Sequence, residues 1–341
     1  MKICICGGGH LGHVCAGVLS SHSDVDLNIL SRKPLAWKEE LMVTDLYLHE
    51  YVGKVSLVTE NPQRAIENAD IILLCLPGYA IASTLLGLKP YLKKEQIVGS
   101  IVSSTGFFFM AHDILGFDAK LFGFQRTPFI ARLSEYGHSA NLLGYKKELK
   151  IAVENIDNRE EFRRNIERLF VTPTALLNNF YEASLTNSNP ILHTGRLYSM
   201  WKGWNGEPYD RNNYFYKEWT DEASETIIAM DNEFMTLLDV LKVDKKNIPS
   251  LLDYYESSDA TSLTEKIKSI PAFQSILSPM EKVEAGWIPN YRSRYFTEDF
   301  PYGLKYIVDL MIQNQIDAPN ILKVFNWGKQ IVDRQSISLS Y

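Results

Sequence analysis

The sequence predicts an α/β domain followed by an all-α one: a doubly wound parallel sheet over residues 1–180, then an all-helical domain over residues 181–341. Three observations predict this. In the first half, short unbroken apolar runs alternate with amphipathic stretches, as strands covered on both faces require. A glycine-rich turn follows the first of those runs. Past residue 180 the strand-like runs cease, and apolar residues recur at spacings of three and four.

Taken in order, residues 2–6, 26–30, 54–58, 70–76, 97–102 and 120–124 read as strands. Between them, residues 11–21, 61–68 and 79–93 read as helices. Strand–helix–strand repetition at this spacing builds a doubly wound domain. A strand at 150–153 and the charged helix at 158–169 complete it. In the second half, Ile227, Met230, Phe234, Leu237 and Leu241 line one face of a helix over 221–242, with Thr220 placed to cap it. That stripe reads as core rather than as a cofactor box. Shorter helical patterns follow at 262–270 and 303–313. The long aromatic loop at 201–219 either covers a site or packs on the helices.

Composition narrows the function. Of 341 residues, 45% are apolar and 22% charged, which excludes a disordered chain. Lys+Arg 35 against Asp+Glu 41 leaves a net charge of −6 with no basic run, so nucleic-acid binding lacks its electrostatic footprint. The longest apolar stretches, 71–76 and the serine-interrupted 97–111, are too short or too polar to span a bilayer. The N-terminus enters a strand directly, without the apolar core of a signal peptide, so a cytoplasmic location is expected. Cys4, Cys6, Cys15 and Cys75 show no metal-ligand spacing and are expected as buried thiols.

Gly7-Gly8-Gly9-His10-Leu11-Gly12 satisfies Gly-x-Gly-x-x-Gly between the first strand and the first helix, the context that marks a Rossmann-type dinucleotide site. Gly7 permits the tight turn, Gly9 lets the backbone approach a pyrophosphate, and Gly12 allows close helix–strand packing. The helix N-terminus, with His10 and Leu11, then offers N–H groups to the phosphates. Some ~20 residues on, where NAD enzymes carry a carboxylate for the ribose, the chain reads Leu30-Ser31-Arg32-Lys33. Arg32 beside Ser31 can bond a 2′-phosphate that a carboxylate would repel, so NADP is expected over NAD. Leu76 and Pro77, at the end of a later strand, either line the cofactor or only turn the chain.

Among seven histidines, His193 stands out in Asn187-Ser-Asn-Pro-Ile-Leu-His193, with Asn189 one helical turn before it. This segment, together with Arg294-Tyr-Phe-Thr-Glu-Asp299-Phe-Pro-Tyr-Gly-Leu, resembles the paired signature of the octopine (opine) dehydrogenase family. Arg-x-x-x-x-Asp-x-Pro-x-Gly-Leu is the more specific element. The resemblance spans nearly the whole chain and implies a Rossmann-type domain joined to a helical substrate domain. It also implies NAD(P)H-dependent condensation of an amino acid with a 2-keto acid. By that resemblance His193 is the proton donor and Asp299 the carboxylate that orients and charges it. Arg294 clamps a substrate carboxylate, and Asn189 bonds either substrate or helix backbone.

Where the family tends to read Glu-Thr-Leu-Pro-Tyr-Ala-Cys-Arg, this chain has Gln125-Arg126-Thr-Pro-Phe-Ile-Ala-Arg132. A carboxylate is replaced and Arg126 is added, so an acidic or neutral amino donor is expected over a cationic one. A homodimer is compatible with the sequence but not specified by it. Two other readings share parts of the pattern. A ketopantoate- or glycerol-3-phosphate-type dehydrogenase needs a helix lysine, which residues 187–200 lack. An NADP-binding regulatory protein needs no catalytic pair.

Overall fold

The unbroken apolar runs become the strands of an eight-stranded sheet, in a computed structural model that describes residues 1–338. Two compact units form, Met1–Ser184 and a second that begins at Leu185.

The strands of the first unit are β1 (Lys2–Cys6), β2 (Asp26–Leu30), β3 (Glu40–Asp45), β4 (Glu50–Lys54), β5 (Leu57–Thr59), β6 (Ile71–Leu74), β7 (Ile97–Ser100), β8 (Leu121–Phe124), β9 (Phe129–Glu135), β10 (Ser139–Tyr145), β11 (Leu149–Glu154) and β12 (Thr174–Leu176). Its helices are α1 (His10–Ser20), α2 (Pro62–Ile66), α3 (Gly78–Leu88), α4 (Phe107–Leu115), α5 (Arg159–Phe170) and α6 (Phe180–Ser184).

The large sheet runs β12-β11-β8-β7-β6-β1-β2-β5. From β8 to β5 every pairing is parallel; β11 turns antiparallel to β8 and carries β12 alongside it. Chain order reverses between β1 and β6, which makes their carboxyl ends the switch point where ligands bind in open α/β sheets. Ile3, Ile5, Leu27, Ile29 and Leu73 are each at most 2% exposed, as a doubly covered sheet demands.

A second sheet, β4-β3-β10-β9, was absent from the sequence-based expectation. Its strands are buried on one face only: Leu41, Val43 and Asp45 point inward on β3. The expected strand at 54–58 proves to be a connector between two sheets: Lys54 ends β4, Leu57 begins β5, and buried Val55 sits between them. Helix α1 packs against both sheets.

In the second unit the helices are α7 (Asn189–Trp201), α8 (Asp221–Val240), α9 (Leu251–Tyr254), α10 (Ala260–Ser269), α11 (Arg294–Thr297), α12 (Lys305–Gln313) and α13 (Pro319–Ser338). A π-helical turn, Phe300–Leu304, leads into α12. The expected stripe of α8 is buried at Ile227, Met230, Phe234 and Leu237, and the Thr220 hydroxyl accepts the Ala223 N–H at its start. Gly195 lets α7 cross α8 closely, since a Cβ there would meet Ile227 Cγ1 at 2.7 Å. One hairpin, β13 (Met280–Val283) with β14 (Gly286–Pro289), interrupts the helices. Its half-exposed residues gave no strand-like run in the sequence.

Candidate active site

The glycine turn leaves β1 at the switch point and enters α1. Gly7 has φ +123° and sits so close to β6 that a Cβ would meet the Cys75 carbonyl at 2.5 Å. No other residue type fits both constraints. At Gly12 a Cβ would meet the Gly7 carbonyl at 2.2 Å, so the first helical turn rests directly on the loop. Around Gly9, by contrast, the Cβ direction is open to 4 Å. Gly9 is the N-cap of α1 and supplies no side-chain cap, so the first N–H groups of the helix keep no side-chain partner. An open approach to uncapped helix amides fits a pyrophosphate.

Two histidines pin this loop to the second sheet. His10 Nδ1 accepts the Leu133 N–H at 2.8 Å. His13 Nε2 accepts the Gly137 N–H at 2.7 Å, so its Nδ1 carries the proton and donates to the Gly9 carbonyl at 3.0 Å. Burial holds the His13 pKa below its usual value, which keeps that neutral tautomer. The ring stacks on Trp37, whose indole N–H donates to the Ser31 hydroxyl at 3.2 Å. Leu11 is half-buried against the core. Ser31 is therefore a buried member of the loop's framework, while Arg32, at the carboxyl end of β2, is exposed. The Leu76 side chain lies against Gly7, and Pro77 is the N-cap of α3.

The second cluster lies within the helical unit. Proline at the second position of α7 starts a helix that carries His193 on its second turn. Asp299 comes from the segment between α11 and the π-turn, whose Leu304 N–H reaches back five residues to the Asp299 carbonyl. Gly303 of that turn abuts Pro190, with a Cβ placed 2.5 Å from Pro190 Cγ. The spacing of the Asp-x-Pro-x-Gly element thus has a packing reason: its glycine seats the turn on the start of α7, next to His193. His193 Nδ1 lies 2.8 Å from Asp299 Oδ2, with the two side chains 12% and 16% exposed. The other nitrogen, Nε2, is 2.8 Å from the Tyr216 hydroxyl. Phe215 and Tyr295 pack against the ring.

Residues 176–332 match the family described as NAD/NADP octopine/nopaline dehydrogenase, alpha-helical domain. The helical unit thus carries the domain of that family, and the chain as a whole is similar to opine dehydrogenases. An opine dehydrogenase of Haliotis discus hannai is 25% identical, over 97% of this chain and 91% of its own. Among solved structures, octopine dehydrogenase with NADH and L-arginine superimposes with a TM-score of 0.85 at 23% identity, over 98% of this chain and 90% of that one. Yersinopine dehydrogenase with NADP+ reaches 0.73 at 15% identity, over 98% and 91%. No helix among the described residues is long and apolar enough to cross a membrane.

The other residues singled out in the sequence stand as follows. Arg294 opens α11 and forms a bidentate pair with Glu298, at 3.0 and 2.8 Å. Asn189 opens α7 half-buried, its N–H bonded to the Asn187 side chain at 3.2 Å. In the first unit Arg126 is exposed, and Gln125 is buried with its amide donating to the Glu182 carbonyl at 3.1 Å. The four cysteines are buried free thiols.

Sequence reasoning missed Tyr216. The signal available was the aromatic loop itself, one turn along α7 from an arginine. Arg196, 4% exposed, holds that loop from the helix side: its Nε donates to the Phe215 carbonyl at 3.2 Å and its Nη2 to the Glu218 carbonyl at 2.6 Å.

Proposed function

We propose that this protein is an NAD(P)H-dependent opine dehydrogenase that joins the amino group of an amino acid to a 2-keto acid, with NADPH the preferred reductant. The observation that carries the reading is the His193–Asp299 pair, a charge-assisted donor built from the two motifs of the family signature.

The chemistry needs a hydride and a proton. Amine and keto carbon form a C=N bond with loss of water; the carbon then takes a hydride and the nitrogen a proton. The nicotinamide supplies the hydride when bound. The glycine turn and the α1 N-terminus would hold its pyrophosphate, and Arg32 would bond the 2′-phosphate. Asp299 accepts the Nδ1 proton of His193, which leaves Nε2 as the donor toward substrate. Arg294 would exchange Glu298 for a substrate carboxylate, a swap that keeps its bidentate geometry.

NADPH is favoured because Arg32 is exposed at the end of β2 with no ion pair among the described residues, and no carboxylate follows that strand at 31–33. A lysine-dependent mechanism finds no lysine on α7. An acidic or neutral donor is favoured because position 125 carries no charge and position 126 is cationic.

Purified protein should oxidise NADPH with pyruvate only when an amino acid is added, faster with glutamate or alanine than with arginine. Oxidation with the keto acid alone would assign a simple 2-hydroxy-acid dehydrogenase instead. Arginine as the best donor would refute the charge argument.

A further inference from the structure

In the helical unit both nitrogens of His193 are already engaged. Asp299 takes Nδ1, so Nε2 is the position from which a proton reaches substrate, yet the Tyr216 hydroxyl occupies it at 2.8 Å. The contact is built with care. The Tyr216 ring stacks on Phe273 at 4.1 Å and lies parallel to Trp219 at 5.8 Å. Arg196 bonds the carbonyls of Phe215 and Glu218, the residues just before and just after the tyrosine's turn. Its guanidinium also lies 5.2 Å from the Trp219 ring. A buried arginine directed at backbone carbonyls, one turn from His193 on the same helix, fixes where the hydroxyl points.

We propose that Tyr216 is a positioning residue of the proton transfer: its hydroxyl holds Nε2 of His193 in both protonation states and gives way to the substrate nitrogen only for the transfer itself. The inference rests on the dehydrogenase reading above. With neutral imidazole, Nδ1–H donates to Asp299 and the tyrosine O–H donates to Nε2. With imidazolium, Nε2–H donates to the tyrosine oxygen, and the hydroxyl need only rotate. When Nε2–H passes to the substrate nitrogen, the N–H bond of the ring breaks, the new amine N–H forms, and the tyrosine proton turns back toward Nε2. The groups facing the pair are Asp299 and Tyr295 from the 294–299 segment and Phe215 from the loop, with Tyr255 near enough to act electrostatically on Tyr216. Burial, with Tyr295, Tyr255 and Asp299 adding to it, pushes the Tyr216 hydroxyl well above its usual pKa. It therefore works as a phenol and is never spent as a phenolate.

The hydroxyl matters more to imidazolium than to imidazole, because a hydrogen bond from a charged donor is the stronger of the two. In Tyr216→Phe, kcat should fall about tenfold or more while the KM of each substrate changes less than about threefold. The alkaline fall in kcat should move down by roughly half to one pH unit. A role in packing alone would lower the melting temperature and leave that limb in place, since phenylalanine keeps both ring stacks. Wild-type kcat with an unmoved limb would overturn the proposal. Ring-15N NMR of histidine-labelled protein reads the same bond without turnover. The His193 Nε2 signal should shift in Tyr216→Phe, and an unshifted signal would overturn the proposal even if no substrate pair were found. Wild-type protein inactive with every pair, yet showing that shift, would fault the dehydrogenase reading while supporting the Tyr216–His193 bond.

Discussion

His193 Nδ1 and Asp299 Oδ2 lie 2.8 Å apart although 106 residues separate them in the chain. The contact depends on Gly303, which seats the π-turn against Pro190 and so sets Asp299 beside the second turn of α7. His193→Ala should lower turnover by about two to four orders of magnitude, the scale of a lost general acid. Asp299→Asn should impair turnover while leaving NADPH affinity intact. Steady-state rates and fluorescence titration of the cofactor separate the two effects. Near-normal turnover in folded His193→Ala would end the proton-donor assignment.

The glycines of the cofactor turn should fail in different ways. Gly9 has an ordinary φ of −86° and open space where a Cβ would go. Gly9→Ala should therefore melt like wild type yet bind NADPH about tenfold or more weakly, because the methyl meets the pyrophosphate rather than the protein. In Gly12→Ala the methyl meets the Gly7 carbonyl, so stability itself should drop, by about 1–3 kcal/mol. Equal loss of stability in both variants would mean the space at Gly9 is not the ligand's.

What the sequence made legible follows from burial. β1, β2, β6, β7 and β8 are covered on both faces, and their apolar runs announce them. The second sheet hides because β9 and β10 alternate buried with exposed residues, and because Asp45 takes an inward position on β3. That carboxylate is tolerated there because it accepts the N–H groups of Tyr47 and His49 and the Tyr145 hydroxyl. Tyr47 and His49 are local partners, but Tyr145 lies 100 residues away and leaves no local pattern. The dyad was legible only through its motif, since a histidine and an aspartate this far apart carry no periodic relation. Tyr216 was legible only as one aromatic residue among several in the 201–219 loop. Its place is set by Arg196 reaching for backbone carbonyls, and a carbonyl leaves no trace in sequence.

Cofactor choice should turn on Arg32. It is exposed and makes no ion pair among the described residues, so the substitution reads chiefly ligand affinity. Arg32→Ala should weaken NADPH by about 1.5–3 kcal/mol, the scale of a hydrogen bond to a charged group, and leave NADH nearly unchanged. Isothermal titration with both cofactors checks it. Equal losses would place Arg32 on the pyrophosphate or adenine instead.

The stability of the helical unit should depend on pH through Asp231. This carboxyl is buried in the middle of α8, 5% exposed, and accepts the Leu251 N–H at 2.7 Å where α9 begins. Burial pushes its pKa up to about 6; the Leu251 N–H opposes that shift, and Asp253 adds to it. In the unfolded chain the same group titrates near the ordinary value of about 3.9. Between those two values the folded state holds a proton that the unfolded state has released. Stability therefore falls as pH rises through that window, by on the order of 2–3 kcal/mol, and stays at the lower level above it. Asp231→Asn keeps an oxygen for Leu251 and removes the titration. Its new amide N–H groups need acceptors of their own, which offsets much of the gain expected at pH 8. The diagnostic is accordingly the slope rather than the level. Urea unfolding from pH 4.5 to 8 should show wild type losing stability across pH 4.5–6, while Asp231→Asn loses less over the same interval. Parallel curves for the two proteins would show that Asp231 is already ionised at pH 4.5 in the fold, held there by the Leu251 N–H against its burial.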